Sequence, residues 1–266
     1  PFDALLTAVP EDKSDFSSYP YLFRKHTISY AYSATLLKAM RDKKHRRKPS
    51  KEVLAFAPFY YSQQELSKGK QPNNASIQGD QELLRFSGPE ADSIVKLMTG
   101  NVFLGSDATK KRFAAMAGDY RILHIATHAQ AGDDPFLYFA AAPDSTEKTL
   151  LYTKELYNFE LDADMVVLSA CETGIGKLRD GEGIISLGYA FAYAGSKSIV
   201  TTLWKVDNQN NAALMPLFYR ELKHGKTKDE ALRNARETYF KNATSLGCHP
   251  FFWAAFVPMG DMRAIK

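Results

Sequence analysis

The stretch LHIATHAQ, residues 123–130, ends an apolar run with a histidine at position 128. A second stretch, MVVLSACETG at residues 165–174, ends a similar run with Cys171. Short apolar runs bounded by small or polar residues predict buried β-strands. Because each run ends in a side chain that can take part in chemistry, these two stretches decide both the predicted fold and the candidate site.

Strands and helices are predicted to alternate around these two runs. Further apolar runs predict strands at residues 52–58, 101–105, 135–140, 198–204 and 252–260. Periodic segments with start and stop residues predict helices at residues 88–100, 109–120, 152–159, 181–195, 210–225 and 227–242. This alternation predicts an α/β fold, with a mostly parallel central sheet that is covered by helices on both faces.

His128 and Cys171 are predicted to lie at one edge of this sheet. Functional sites of such folds form outside the carboxyl ends of the strands. The two residues are 43 positions apart (171 minus 128), which leaves room for a crossover and a hairpin between two adjacent strands. A cysteine needs a neighbouring base to become a nucleophilic thiolate, and a histidine can return the proton to a leaving amine. The pair therefore predicts a thiol-protease dyad with Cys171 as the nucleophile and His128 as the base.

The residues around the dyad fit the same chemistry. A tetrahedral oxyanion needs backbone donors, and the N–H groups of Ala129 and Cys171 are the candidates. After the nucleophile, Thr173 and Gly174 are small enough to admit a substrate backbone, and Glu172 is predicted to organise the loop by hydrogen bonds.

A phosphate-binding loop is the main competing interpretation of this region. The segment GIGKLRDGEG, residues 174–183, follows a predicted strand and precedes a predicted helix. A dinucleotide fingerprint that starts at Gly174 would need glycine at position 179, which is Arg179. A Walker A loop would need Ser or Thr after Lys177, and that position is Leu178. The sequence therefore disfavours nucleotide binding, and no cofactor is predicted.

Metal binding is also disfavoured by the spacing of candidate ligands. The sequence contains no Cys-x-x-Cys motif, and Cys248 with His249 lacks partners at zinc spacing. His124 and His128 lie four residues apart, a distance of about 13 Å on a strand and too long for one ion. No metal is predicted, and His124, Cys248 and His249 are interpreted as structural residues.

Composition places few further limits on function. The chain has 266 residues, is 45% hydrophobic and has a net charge of +4, which says little about partners. No apolar run is long enough to span a membrane, and neither nucleic-acid nor membrane binding is predicted. The basic run at residues 41–51 is interpreted as a solvated loop between two elements. Two cysteines do not indicate a disulfide framework, which favours a reducing, cytoplasmic location.

Four segments of the chain carry a family resemblance, and they are LHIATHA, DMVVLSACETGIGKLRDGEGIISLGYAFAYAGSKSIVTTLWKVDN, ALMPLFYRELKHGKTKDEALRNA and HPFFWAAFVPMGD. They resemble CHAT domains, which are caspase- and separase-like domains often attached to tetratricopeptide repeats. The resemblance covers nearly the whole chain and is strongest over residues 120–261.

The resemblance implies a fold, an activity and a biological setting. The fold would be a caspase-like αβα sandwich of about six strands, with residues 1–266 as one domain and residues 1–50 as an entry segment packed on it. The activity would be that of a cysteine endopeptidase with His128 and Cys171 as its dyad.

The chain would be the C-terminal part of a bacterial protein that is switched on by N-terminal repeats or a sensor region, in antiphage defence or cell death. Its substrate would be a protein, of which gasdermin-like effectors are one class. The alternative is a catalytically silent caspase-like scaffold that binds other proteins.

The same resemblance identifies candidate pocket residues for the side chain before the scissile bond. Ser169, two positions before Cys171, is neutral and small, so it indicates no preference. The segment that contains Trp204 resembles a separase segment rich in aspartates, in which Asp207 would supply one carboxylate and Asn208 replaces a common acid. Asp207 can equally act as a helix N-cap.

Two further acids follow the candidate base. Asp133 and Asp134 belong to a predicted loop after His128 and could face a substrate. The segment after Trp204 favours a basic residue before the cut over a neutral one. An acidic residue at that position is not expected.

Overall fold

The computed structural model describes residues 1–46, 49–60, 83–141, 149–169, 177–179, 183–205 and 208–265. In chain order, its strands are β1 (Lys51–Ala57), β2 (Gly100–Leu104), β3 (Tyr120–Ile125), β4 (Ala129–Gln130), β5 (Phe136–Tyr138), β6 (Leu150–Tyr152), β7 (Met165–Leu168), β8 (Lys177–Arg179), β9 (Gly183–Ile185), β10 (Ser198–Thr202) and β11 (Phe256–Gly260). Six of them form the central sheet, in the order β11-β10-β7-β3-β1-β2. All neighbouring pairs are parallel except β10 with β11. This confirms the prediction of a mostly parallel sheet.

Helices cover both faces of this sheet. The α-helices are α1 (Ala34–Asp42), α2 (Ser87–Met98), α3 (Lys110–Met116), α4 (Thr153–Leu156), α5 (Leu187–Ala194), α6 (Asn208–Lys223) and α7 (Lys228–Asn242). Alternate residues of a strand point to opposite faces. In β1, Ala55 packs with residues of α2, α6 and α7, whereas Phe56 packs with residues of α3 and α5. The result is the αβα sandwich that the sequence resemblance implied.

Local signals explain where several helices begin and end. The Ser186 hydroxyl accepts from the Tyr189 N–H at the start of α5, which satisfies a donor that has no partner within the helix. The helix ends at Gly195, whose φ of +116° is unfavourable for other residues. At the start of α7, Thr227 and Glu230 form a reciprocal capping box.

Two predicted elements begin well after their predicted first residue. The helix predicted at residues 181–195 is α5 and begins only at Leu187, because residues 183–185 form β9 and pair with β8. The strand predicted at residues 252–260 is β11 and begins at Phe256, because Pro250–Phe252 forms a 3-10 helix. Glycine and proline break periodicity in both segments, so the boundaries could not be read from the pattern.

A small second sheet lies between β3 and β7 in the chain. Strands β4, β5 and β6 pair in antiparallel fashion, and α4 follows them. The predicted strand at residues 135–140 corresponds to β5, whereas β4 and β6 were not predicted. This insertion lets the chain leave β3, form a hairpin and return to β7 as its parallel neighbour.

The first part of the chain packs on the sandwich and on its edge strand. Tyr21 and Phe23 are buried, and both ring systems contact Trp253. Farther along, the Tyr30 N–H donates to the Pro258 carbonyl at 2.8 Å, and the Gly260 N–H donates to the Tyr30 carbonyl at 3.1 Å. Tyr30 therefore pairs with the outer side of β11.

Candidate functional site

The carboxyl edge of the central sheet is where several of the predicted site residues lie. His128 follows β3, Ser169 follows β7 and Trp204 follows β10. Because β10, β7 and β3 are adjacent and parallel, the chain segments that contain these residues leave the sheet at the same edge. This agrees with the expectation that sites form outside the carboxyl ends of strands.

His128 is held by an aromatic neighbour and by backbone contacts. Its side chain is buried, and the Phe59 ring meets the imidazole edge-to-face with ring centroids 4.7 Å apart. The Tyr138 N–H donates to the His128 carbonyl at 3.1 Å. The preceding Thr127 hydroxyl donates to the Tyr138 carbonyl at 2.7 Å, which ties the segment after β3 to β5. Phe59 was not predicted as a site residue, since nothing in its spacing relates it to His128.

Ala129 begins β4 and pairs with Leu137 of β5. The neighbouring pair of His128 and Tyr138 is hydrogen-bonded. In an antiparallel ladder, hydrogen-bonded and non-hydrogen-bonded pairs alternate. The Ala129 N–H is therefore directed away from β5.

Ser169 continues the pairing of β7 with β3. Its N–H donates to the Ile125 carbonyl at 3.0 Å, and its side chain is buried. The next predicted site residues are Cys171, Glu172, Thr173 and Gly174, and all four lie outside the described residues. Their assignments as nucleophile, oxyanion donor and substrate-loop residues stay predictions.

The two acids after His128 lie on the surface. Asp133 and Asp134 are both exposed. The Lys154 ammonium donates to the Asp134 carboxylate at 2.9 Å, and it also lies over the Tyr152 ring. A basic substrate side chain would therefore compete with Lys154 for Asp134.

Trp204 is partly buried, and its indole N–H donates to the Phe251 carbonyl at 2.9 Å. Phe251 is exposed and lies on the segment before β11. Asn208 is the first residue of α6, and Asp207 lies outside the described residues. The pocket assignments of Asp207 and Asn208 stay predictions.

His124 is a buried mid-strand residue, as predicted. In the sheet it pairs with Ala55 of β1 and Val167 of β7. Its Nε2 lies 3.0 Å from Oε1 of Glu90, and its Nδ1 lies 3.1 Å from the Tyr219 hydroxyl. Glu90 is a residue that the sequence analysis missed. The available signal was that it shares one face of α2 with the buried Ile94, four residues later.

The amino edge of the sheet contains a connected set of charged residues. Asp164, which precedes β7, lies 2.9 Å from the Lys197 ammonium, 3.0 Å from His45 Nε2 and 3.2 Å from Arg121 Nε. Arg121 also contacts the Glu52 carboxylate at 3.2 Å. The Asp164 carboxylate thus links the starts of β3, β7 and β10 to the segment after α1.

The basic run at residues 41–51 connects α1 to β1, as expected for a loop between two elements. Several of its side chains are engaged by the protein rather than simply solvated. The Lys43 ammonium donates to the carbonyls of Leu161 and Gly195, and Arg46 pairs with Glu160. Together with the His45–Asp164 contact, these bonds place the basic run along the acidic segment that precedes β7.

Cys248 and His249 have structural environments. The Cys248 thiol is buried and lies 3.9 Å from the Phe240 carbonyl, and burial raises its pKa. The His249 ring packs edge-on against Phe16, with ring centroids 4.8 Å apart. Both observations agree with the structural interpretation of this pair.

The described part of the chain contains neither a metal-binding cluster nor a membrane-spanning helix. Within it, no group of three or more His, Cys, Asp or Glu side chains is arranged to hold a metal ion. Among the same residues, no helix combines the length and apolar character needed to cross a bilayer.

Solved structures share this architecture. Separase in the separase–securin complex of Saccharomyces cerevisiae has a TM-score of 0.56, 11% identity, and coverage of 89% of this chain and 14% of that chain. The complex of the pro- and mature domains of RgpB from Porphyromonas gingivalis has a TM-score of 0.50, 10% identity, and coverage of 87% and 53%. At such low identity these matches establish the fold, which is caspase-like.

The family follows from the sequence. The CHAT domain model matches residues 1–261, so the chain belongs to the CHAT domain family. Tetratricopeptide repeat protein 28 of Mus musculus is 23% identical over 207 residues, and its Homo sapiens counterpart is 22% identical over 207 residues. Each match covers 65% of this chain and 8% of the relative. The chain thus spans a small part of the length of these relatives.

Proposed function

We propose that this domain is a cysteine endopeptidase in which Cys171 and His128 form the dyad. His128 accepts the proton of the Cys171 thiol, and the thiolate attacks the carbonyl carbon of the scissile peptide bond. The C–N bond then breaks as the imidazolium gives its proton to the leaving amine. Water, deprotonated by the same imidazole, hydrolyses the thioester and releases the acid product.

The observation that supports this proposal most directly is the register of β3 and β7. Residue pairs run from Ile122–Met165 to Ile125–Leu168, each with an offset of 43 (165 minus 122). The offset between His128 and Cys171 is also 43 (171 minus 128). A shared offset favours the two side chains as neighbours at the carboxyl edge of the sheet.

The burial of His128 and the direction of the Ala129 N–H offer further support. A buried imidazole beside an aromatic ring is shielded from water, which strengthens its interaction with a thiolate. The Ala129 N–H is directed away from β5, and we propose that it donates to the oxyanion together with the N–H of Cys171.

Labelling with an electrophilic peptide ketone tests the proposed nucleophile. We expect covalent labelling of the wild-type chain at Cys171, located by peptide mass spectrometry. Cys171→Ala should abolish labelling, and His128→Ala should slow it strongly because the thiol loses its base. Cys248→Ala is the matched control, since it removes the other cysteine and should leave labelling intact.

The same experiment separates the protease from a silent scaffold. Labelling that persists in Cys171→Ala would contradict the assigned nucleophile. A folded wild-type protein that never reacts, even in its full-length form with its natural partners, would favour the scaffold. Circular dichroism of each variant shows that loss of labelling is not loss of folding.

We propose further that the enzyme prefers a basic or neutral residue before the cut. Asp133 supports this because it is exposed just after the proposed base, and Asp134 already binds the ammonium of Lys154. Asp207 and Asn208, near Trp204, are the other proposed contributors. Cleavage of a peptide library checks this preference, and selective cleavage after acidic residues would contradict it.

We also propose that a tetratricopeptide-repeat or sensor region regulates the domain within a longer cytoplasmic protein. The support is the match to two relatives named for these repeats. A gasdermin-like effector is the substrate class that the family resemblance favours. Peptidase activity measured with and without the remainder of the full-length protein tests the regulation, and equal activity in both forms would contradict it.

A further inference from the structure

A glutamate and a histidine, Glu90 and His124, are in contact deep in the protein near the proposed site. The Glu90 side chain is 3% exposed and the His124 side chain is fully buried, with the two nearest atoms 3.0 Å apart. Neither of these two atoms has a hydrogen-bond partner, so each has the other as its polar contact. A buried polar group is unfavourable unless it has a partner.

Three elements meet at this contact. Glu90 lies in the first turn of α2, His124 in β3 and Tyr219 in α6. The groups that face His124 are the Glu90 carboxylate from α2 and the Tyr219 hydroxyl from α6. Burial, and then the Glu90 charge, raise the pKa of Tyr219 well above its usual value, so its hydroxyl stays protonated. The first turn of α2 is thereby held against the centre of the sheet.

A short series of contacts leads from this turn to His128. The Ser87 N–H and hydroxyl both donate to the Leu84 carbonyl, at 3.0 and 2.7 Å. The Leu84 N–H donates to the Phe59 carbonyl at 3.0 Å. The Phe59 ring then packs edge-to-face against the His128 imidazole. The start of α2 therefore fixes the backbone of the residue whose ring contacts the proposed base.

We infer that Glu90 is a positioning residue for His128. It anchors the first turn of α2 to β3, the turn holds Leu84 and Phe59, and Phe59 orients the imidazole. The inference rests on the proposed function for its catalytic meaning, whereas the positioning itself can be measured without any activity.

Nuclear magnetic resonance of the His128 ring protons tests the inference. The Phe59 ring current shifts these resonances, so Phe59→Leu defines the signal of an imidazole that has lost this neighbour. Glu90→Gln, which removes the charge and keeps the shape, should move the His128 resonances most of the way to that position. Asp92→Asn is the matched control on the same helix, because Asp92 pairs with Lys96 at the surface, and it should cause no shift.

The experiment is carried out in the Cys171→Ala background, so its outcome does not depend on proteolysis. Unshifted His128 resonances in a folded Glu90→Gln variant would overturn the inference. If Glu90→Gln does not fold, Ser87→Ala decides, since it removes only one hydroxyl bond in the series and should shift the resonances in the same direction. Shifted resonances, together with a full-length wild-type protein that peptide ketones never label even with its natural partners, would retain the positioning and contradict the proposed protease.

Discussion

The two edges of the central sheet use polar residues in different ways. At the amino edge, Asp164 joins Lys197, His45 and Arg121 in one cluster of contacts. At the carboxyl edge, the His128 imidazole lies against the Phe59 ring, and the His128 carbonyl accepts a hydrogen bond from the Tyr138 N–H. The charged cluster stands where no chemistry is expected, and the proposed base stands beside an aromatic ring.

This difference follows from what each edge must do. Several opposite charges around one carboxylate hold the starts of separate strands together, but they also fix its protonation state. A base must exchange its proton with a nucleophile, so strong fixed charges beside it would hold it in one state. The comparison therefore predicts large stability effects at the amino edge and small ones at the carboxyl edge.

The largest expected effect is that of Asp164→Ala. The substitution leaves the Lys197 and Arg121 cations in a largely buried site without their shared carboxylate. Removing one partner of a buried pair costs about 3–5 kcal/mol, and we expect a loss of that order in the free energy of unfolding in urea. Asp92→Ala, which removes an exposed pair on α2, is the control and should cost far less. Equal losses in the two variants would contradict the comparison.

The contribution of Asp164 to stability should be lost at acidic pH. Burial alone would raise the Asp164 pKa, but the Lys197 hydrogen bond and the charges of Lys197, His45 and Arg121 lower it below the ordinary 3.8. Because the folded pKa is the lower one, the stabilisation is complete above about pH 4 and is lost as the pH falls through the folded pKa. Unfolding free energies of the wild type and Asp164→Asn should therefore converge below about pH 4. A difference in unfolding free energy between the two proteins that stays constant with pH would contradict this prediction.

Lys228 should have the next largest effect on the free energy of unfolding, at alkaline rather than acidic pH. Burial lowers its pKa to about 8 from 10.5, although the charges of Asp261 and Asp164 act against this shift. The folded protein therefore loses this proton before the unfolded chain does, so its stability rises between about pH 8 and 10.5, by about 3 kcal/mol. Lys228→Met should remove that rise. Urea unfolding of both proteins across this range measures it, and parallel pH profiles would show that Lys228 is not responsible.

The smallest expected effect is that of Asp134→Asn at the carboxyl edge. The side chains of Asp134 and Lys154 are 49% and 67% exposed, and exposed ion pairs contribute little to stability. We expect an unfolding free energy within error of the wild type, together with weaker cleavage of basic substrates. Thermal unfolding and peptide cleavage measure the two properties. A large loss of stability would show that this edge also depends on its charges.

The sequence predicted the central architecture because strands and helices are encoded locally. The apolar runs within β1, β3, β7 and β10 are short but nearly uninterrupted, and this pattern is typical of a strand buried on both faces. His128 was identified as a candidate for the same reason, since a titratable residue at the end of such a run stands out. The offset of 43 between β3 and β7 then agreed with the spacing already noted for His128 and Cys171.

Other features depend on contacts between segments far apart in the chain. Glu90 looks like an ordinary acid in a first helical turn, and only the arrival of His124 from β3 gives it a buried partner. The basic run could not be matched to Asp164, because His45 and Asp164 are 119 positions apart and nothing in the sequence between them signals their pairing. Strand β9 was missed since its glycine-rich surroundings lack a period.

The pairing of Tyr30 with β11 has a consequence for how this protein meets other chains. An edge strand with free backbone groups can recruit a strand from another molecule and begin aggregation. The outward carbonyl of Pro258 and the outward N–H of Gly260 are both taken by Tyr30, and Pro258 has no N–H to offer. Strand addition at this part of the edge would have to displace Tyr30, so the early part of the chain also helps to protect the protein from aggregation.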